Sequence, residues 1–395
     1  MSNRWDQPEE SAAAGENGTS TLVSLLAVTF LALLNYAALL PVVPLWAASG
    51  GAASATVGAT TGVMMAATVA AQLAMPWLFT VIGLRTMIAC GAVLLGGPTP
   101  LYLLSAEILP IMAISVVRGV GFAFIVVAGA TLVADVAPPG KLARAVGYYG
   151  AAAALPNIGA LAGGVWAAQL WGFEVVFTGA AVASLLAAIL AVRLPAHSRG
   201  TFVLPALEDL GRIAAPIVLF LVTAGAFGAA TTFLPVSGPD AGHVSLALLA
   251  ASVAMVLGRL AAGTIGDRIG AGRLLTSWVL SVATGSALIA WALDGPVWLL
   301  ILGAALLGGG FGACQNDSLV ATIQRLGAGR SGTASTIWNI GFDGGVGLGA
   351  VVLGWVIAGL GYAGAFFALA IGIATVTVLS MLIVPRGPQP ESPRR

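Results

Sequence analysis

Three charged residues of this 395-residue chain, Arg118, Asp317 and Asp343, lie inside long apolar stretches. On insertion scales a charge at a bilayer centre costs about 2.5–3.5 kcal/mol, so such residues mark sites with a task. Arg118 lies about ten residues into its stretch, which at ~1.5 Å per residue is roughly 15 Å deep, near the midplane. Asp343 lies about twelve residues into its own stretch, again near the middle, and Asp317 about twenty, closer to the far end beside Gln315 and Asn316. A carboxyl group taken out of water can hold a proton or a cationic ligand in competition. Asp343 is therefore expected to carry a proton, or to be held by Asn339 one helical turn earlier. Asp317 is a second proton-carrier candidate or an interfacial cap. Arg118 is expected to contact a ligand, to tune a proton site, or to bond neutral polar groups. Asn35, Asn157 and Asn339 can hydrogen-bond a ligand or fasten helices together. Tyr36, Phe122, Trp338 and Phe342 can supply an aromatic wall.

The elements that must position these residues follow from composition. Apolar residues make up 59% of the chain and charged residues 8%, against roughly half and a quarter in soluble domains. Most of the surface must therefore face lipid. Continuous apolar runs, each long enough for the ~20 residues of a membrane helix, fall at roughly 20–46, 54–79, 86–106, 109–134, 145–170, 174–194, 212–236, 244–265, 274–293, 296–323, 331–358 and 363–384. They lack the period-two alternation of a barrel. The expected fold is an all-α membrane protein of twelve transmembrane helices in two six-helix bundles, residues 20–194 and 212–386. Residues 195–211 read as a linker, and 1–19 and 387–395 as tails, the first disordered. Gly159-x-x-x-Gly163 and Gly345-x-x-x-Gly349 read as helix-packing motifs. Trp46, Trp171 and Trp298 at span ends read as interface anchors.

Loop charges give the orientation. Arg85, Lys141, Arg144, Arg193, Arg199, Arg212, Arg259, Arg268, Arg273, Arg325 and Arg330 are expected on or beside even-numbered loops, and Arg4, Arg386, Arg394 and Arg395 on the tails. The odd loops hold Glu107, Glu174, Asp240 and Asp294 and no basic residue. By the positive-inside rule both termini and the linker are cytoplasmic, which places a multi-pass protein in the cell (plasma or inner) membrane.

The two halves echo each other. Val120-Gly121-Phe122 recurs as Gly309-Gly310-Phe311, and Met75-Pro76 through Gly83 aligns with Ala262-Gly263 through Gly270. Repeated halves with a site at their interface are a transporter pattern. The loop Gly263-Thr264-Ile265-Gly266-Asp267-Arg268-Ile269-Gly270-Ala271-Gly272-Arg273 resembles the G-x-x-x-D-R-x-G-x-[RK] loop of the major facilitator superfamily, its last basic residue displaced by one. In the first half Pro76, Thr80 and Val81 replace the expected Gly, Asp and Arg, while Gly83 and Arg85 fit. Arg118-Gly119-Val120-Gly121 resembles the superfamily's fourth-span element. Gly147 to Gly164, with Pro156 and Gly159, is similar to the fifth-span motif of proton-driven antiporters, without its Gly-Pro pair. The pattern resembles bacterial drug and metabolite exporters. This resemblance implies that Gly263, Asp267, Arg268, Gly270 and Arg273 form a cytoplasmic gate that locks the helices when the protein faces outward.

Other classes are poorly served. The net charge of +1 and the lack of a basic stripe argue against nucleic acid. No G-x-x-x-x-G-K-[ST] cradle for ATP occurs, and no cofactor is implied. Cys90 and Cys314 read as small buried hydrophobes, and His197 and His243 as loop residues, so no metal site is expected. The expectation is a non-enzymatic, proton-coupled exporter of small, partly apolar organic molecules, whose partners are that substrate, protons and the lipid bilayer. The rivals are a proton-coupled importer and a membrane sensor.

Overall fold

The computed structural model describes residues 7–137, 142–196, 207–238, 240–327 and 330–383. Eleven helices among them are long and apolar enough to cross a membrane, and no strand occurs among the described residues. They are α1 (Gln7–Ser49), α2 (Ser54–Val81), α3 (Leu84–Gly96, which spans only together with the 3-10 segment up to Leu104), α4 (Ile108–Val136), α5 (Leu142–Trp171), α6 (Phe173–Ala191), α7 (Leu207–Phe233), α8 (Ala241–Ile269), α9 (Leu275–Ala292), α10 (Val297–Leu326) and α11 (Ser331–Ile383). The count is eleven rather than the expected twelve because the last two runs join as one element. That element has 53 residues, about 80 Å if straight, and its backbone leaves the helical region at Gly361 (φ 68°, ψ 177°).

Other boundaries also differ from expectation, and Arg259 lies in the body of α8 rather than at the eighth loop. Residues 7–19 continue α1 instead of forming a disordered tail; the stretch is rich in alanine and glutamate, both good helix formers. The third run is split: α3 stops at Gly96, and a 3-10 turn over Thr99–Leu104, started by Pro98, completes it. Helix α7 begins at Leu207, inside the expected linker, and Asp209 in its first turn is paired with Arg330 ahead of α11. The Asp209 hydrogen bond holds the Arg330 guanidinium above its usual pKa. His243 lies in the first turn of α8 rather than in a loop, because Asp240 Oδ1 accepts from Gly242 N at 2.8 Å and starts the helix early. Residues 1–6, 197–206 (with His197 and Arg199), Lys141 and the tail 387–395 lie outside the described residues.

Without a hydrophobic force between helices in lipid, close backbone packing holds them together, and glycines set the distance. A Cβ added at Gly349 would lie 2.0 Å from Gly225 O, at Gly312 1.9 Å from Met255 O, and at Gly119 2.2 Å from Met64 O. These contacts join α11 to α7, α10 to α8, and α4 to α2. Gly345 and Gly349 thus pack as expected, but a Cβ at Gly159 or Gly163 would meet nothing within 4 Å. That face of α5 borders an open groove with Gly242, Ser245 and Leu249 of α8.

Within the first half α1 packs on α5 and α6, and α4 on α2 and α3; within the second, α10 packs on α8 and α9, and α11 on α7 and α9. The halves meet along α2 against α11 and α5 against α8. Cys314 is buried, but Cys90 is exposed on the outer face of α3, contrary to the sequence reading. Trp171 and Trp298 are exposed at span ends, whereas Trp46 is half-buried and donates to Tyr102 O at 3.0 Å, so it fastens the 3-10 turn instead of anchoring an interface.

Candidate functional site

The polar residues of the membrane region separate into three groups. The first surrounds Arg118, 1% exposed on α4. Its Nε donates to Leu95 O (3.3 Å), Nη1 to the Tyr102 hydroxyl (3.3 Å) and Nη2 to Asn35 Oδ1 (3.0 Å). The guanidinium also sits 5.6 Å from the Tyr102 ring centroid, a cation–π distance. Tyr102 and Ser115 share a 2.9 Å hydrogen bond. Asn35 spends its amide on Ala180 O (2.8 Å) and Thr99 Oγ1 (3.5 Å). Asn35 is therefore consumed inside the first half, joining α1 to α4, α6 and the 3-10 turn. Among the described residues no carboxylate pairs with Arg118, so its charge is met by neutral acceptors and its field is uncancelled. A narrow cleft lined by Thr60, Thr61, Met64 and Ser115 opens beside it.

Substituting Arg118 tests this arrangement. Arg118→Met should lower the thermal unfolding midpoint in detergent, since Leu95 O and Asn35 Oδ1 lose their donor at about 1–3 kcal/mol each. Arg118→Lys should recover part of the loss. An unchanged midpoint for Arg118→Met would mean that the network adds no stability.

The second group lies where the halves meet. Asp343 is 1% exposed, and its Oδ2 accepts from Gln72 Nε2 of α2 at 2.6 Å. Asn339 does not hold it, because the Asn339 amide donates to Ser335 O of its own helix at 2.9 Å. Three buried polar atoms here have no hydrogen-bond partner: Asp343 Oδ1, Gln72 Oε1 and the Tyr36 hydroxyl. That hydroxyl is within electrostatic reach of both Asp343 and Arg118. The Tyr36 ring stacks on Phe122, with centroids 4.1 Å apart. On the second-half side Trp338 stacks on Phe220 at 4.6 Å, and Phe342 lies 6.0 Å from Phe311. Trp338 Nε1 donates to Ser318 Oγ at 3.1 Å. Gln72 escaped the sequence reading although the signal was present: it is a lone glutamine in an apolar run without charges.

The third group is the loop after α8. Asp317 does not join Asp343; its Oδ1 accepts from Gly272 N at 2.6 Å and ties the loop to α10. Gly270 and Gly272 have φ of +94° and +82°, a region that favours glycine. Asp267, Arg268 and Arg273 are exposed, and none of the three forms an ion pair among the described residues. Gly263 faces Asn316. Asn157 stands apart from all three groups, donating weakly to Ala153 O and Ala154 O of its own helix.

Comparison with known proteins agrees with this layout. The Major Facilitator Superfamily profile matches residues 25–335 and, in an overlapping second match, 217–395. An uncharacterised MFS-type transporter of Methanocaldococcus jannaschii is 26% identical over 163 residues, which cover 41% of this chain and 42% of that relative's length. Among solved structures, the nucleoside transporter NupG superposes with a TM-score of 0.73 at 16% identity, covering 92% of this chain and 98% of that one. A POT family transporter in complex with a thioalcohol-conjugated peptide gives 0.72 at 12%, covering 91% and 95%. A bacterial homologue of the human lysosomal transporter Spinster, inward-facing and unoccupied, gives 0.70 at 14%, covering 93% and 95%. At such identities the likeness is one of fold. With the profile spanning both halves and apolar helices along the whole described length, the chain is a multi-pass membrane protein that belongs to the Major Facilitator Superfamily.

Proposed function

We propose that the protein is a secondary active transporter that exports small, partly apolar organic molecules in exchange for protons. The observation that carries this reading is Asp343, a membrane-embedded carboxylate hydrogen-bonded by Gln72 from the opposite half of the chain. A proton taken up there changes a bond that spans the two halves, as coupling by alternating access requires. Residues 20–194 and 212–386 act as two rocking six-helix bundles joined by a linker over 195–211. The second bundle reaches six spans because α11 crosses twice, turning at Gly361. Tyr36, Phe122, Trp338 and Phe342 form the aromatic walls of the substrate path, and Arg118 supplies a fixed positive field on one side. Asp267 and Arg268 act as the gate, free in this conformation and engaged when the cytoplasmic side closes.

The test is transport in proteoliposomes under an imposed pH gradient, using a panel of amphiphilic organic solutes. Accumulation of a solute on the acidic side, collapsed by a protonophore, is the expected result. Accumulation on the alkaline side would establish import with protons instead, and movement that ignores the gradient would overturn proton coupling.

Both termini and the linker face the cytoplasm of the cell membrane in this reading. Single cysteines at Ser237→Cys and Ser331→Cys, in a background lacking Cys90 and Cys314, should therefore label from opposite sides, Ser237→Cys from outside. Labelling of both from one side would refute the orientation.

A further inference from the structure

The α2–α11 seam is closed by glycine contacts on one side of Asp343. Towards its Ser54 end the backbones touch: a Cβ at Gly58 would lie 2.3 Å from Ala350 O and one at Gly354 2.7 Å from Ser54 O, while Ser54 Oγ donates to Gly354 O at 3.0 Å. The Gln72–Asp343 hydrogen bond comes at the other end. Past it the outward stripe of α2 (Leu73, Trp77) stays exposed and the inward stripe (Met75, Phe79) stays buried, while Trp338 and Asn339 of α11 are half-exposed. The pair thus sits on this seam just beyond its glycine contacts.

Each partner keeps one polar atom in reserve. Asp343 uses Oδ2 and leaves Oδ1 buried and unpartnered; Gln72 uses Nε2 and leaves Oε1 in the same condition. A primary amide is donor at one end and acceptor at the other, and its terminal torsion is broad and roughly two-fold. An ionised carboxylate can only accept, so it must meet Nε2. A protonated one can donate its O–H, and the fitting partner is then Oε1.

We propose that Gln72 is the positioning residue that reports the protonation of Asp343 to the first half of the protein, by turning its amide end for end. With Asp343 ionised, Nε2 donates to the carboxylate in a charge-assisted bond. When a proton arrives on a carboxyl oxygen, Oε1 accepts it in a neutral bond of roughly half the strength, and the seam is freer to part. Gln72 gains and loses no proton. This rests on Asp343 being the proton carrier.

The surroundings suit such a device. Of the elements packed on α11, α2 and α9 carry no charged residue. Helix α7 has its charges in its first turns, at Glu208, Asp209 and Arg212. Helix α10 brings Asp317, bound to Gly272, the buried thiol Cys314, and Arg325 in its last turn. From the first half, the Tyr36 hydroxyl is in electrostatic reach of Asp343 and also of Arg118.

The experiment is a pH series of spin-label distances in the full chain in lipid nanodiscs, with Cys90 and Cys314 replaced by serine. Labels go on Thr80→Cys and Gln324→Cys, both exposed near the ends of α2 and α10. The parent protein should shift its distance distribution between alkaline and acid pH. Gln72→Met and Asp343→Asn should each abolish the shift. The shape-conserving exchange Gln72→Glu with Asp343→Asn, which moves the carboxyl to α2 and the amide to α11, should restore it. A shift that survives Gln72→Met but not Asp343→Asn overturns the role of Gln72 and leaves Asp343 as carrier. A shift that survives Asp343→Asn, or a parent protein without one, overturns the carrier assignment itself. If the exchange fails to restore what Gln72→Met removes, Gln72 serves packing alone and the proposal falls.

Discussion

Asp343→Asn should abolish accumulation of substrate driven by a pH gradient while leaving downhill exchange measurable. A gradient of about one pH unit is worth about 1.4 kcal/mol per proton, a tenfold concentration ratio for each proton exchanged. In the variant that ratio should fall to one. The substitution is almost isosteric, and an asparagine carbonyl can still accept from Gln72 Nε2, so the α2–α11 seam keeps its packing and a hydrogen bond. What disappears is the ability to bind and release a proton at the interface between the halves. No second carboxylate among the described residues stands at that interface, since Asp317 lies against the loop after α8, where its Oδ1 accepts from Gly272 N. Measurement in proteoliposomes with and without a protonophore separates the two modes. A variant that still concentrates substrate tenfold would remove Asp343 from the coupling path.

Gly349→Leu should prevent recovery of folded, monodisperse protein, whereas Gly159→Leu should behave like the parent. Both glycines belong to G-x-x-x-G pairs and are indistinguishable by motif. At Gly349 a Cβ would lie 2.0 Å from Gly225 O and 2.4 Å from Gly225 Cα, so the obstacle is backbone and cannot rotate away. Gly345 against Leu221 O (2.5 Å) and Gly228 against Val346 O (2.4 Å) extend the same contact. Ordinary overpacking costs about 1–3 kcal/mol, and here several ångströms of helix separation would be forced on top of that. Since lipid gives the helices no hydrophobic reason to remain together, the lost packing has no substitute. Gly159 has open space instead. Size-exclusion profiles and thermal unfolding in detergent compare the two directly, and similar behaviour would refute the α7–α11 contact.

The sequence by itself determined the class of the protein and most of its helices. Lipid as solvent demands long apolar runs with satisfied backbones, and that demand is written locally, residue after residue. The D-R-containing loop and the echo between halves were legible for the same reason, as contiguous patterns. Tertiary structure alone decided which polar residues meet. Asn35 and Arg118 bond each other although far apart in the chain. Asn339, one turn from Asp343, turned to its own helix, while Gln72, 271 positions away, took the carboxylate. For Asp317 the sequence left a proton carrier and an interfacial cap open, and only the fold showed that its Oδ1 meets Gly272 N, because depth along a helix does not say which way the side chain points. The two glycine pairs differ for a similar reason. A motif states that a backbone can be approached, and only the neighbouring helix decides whether it is.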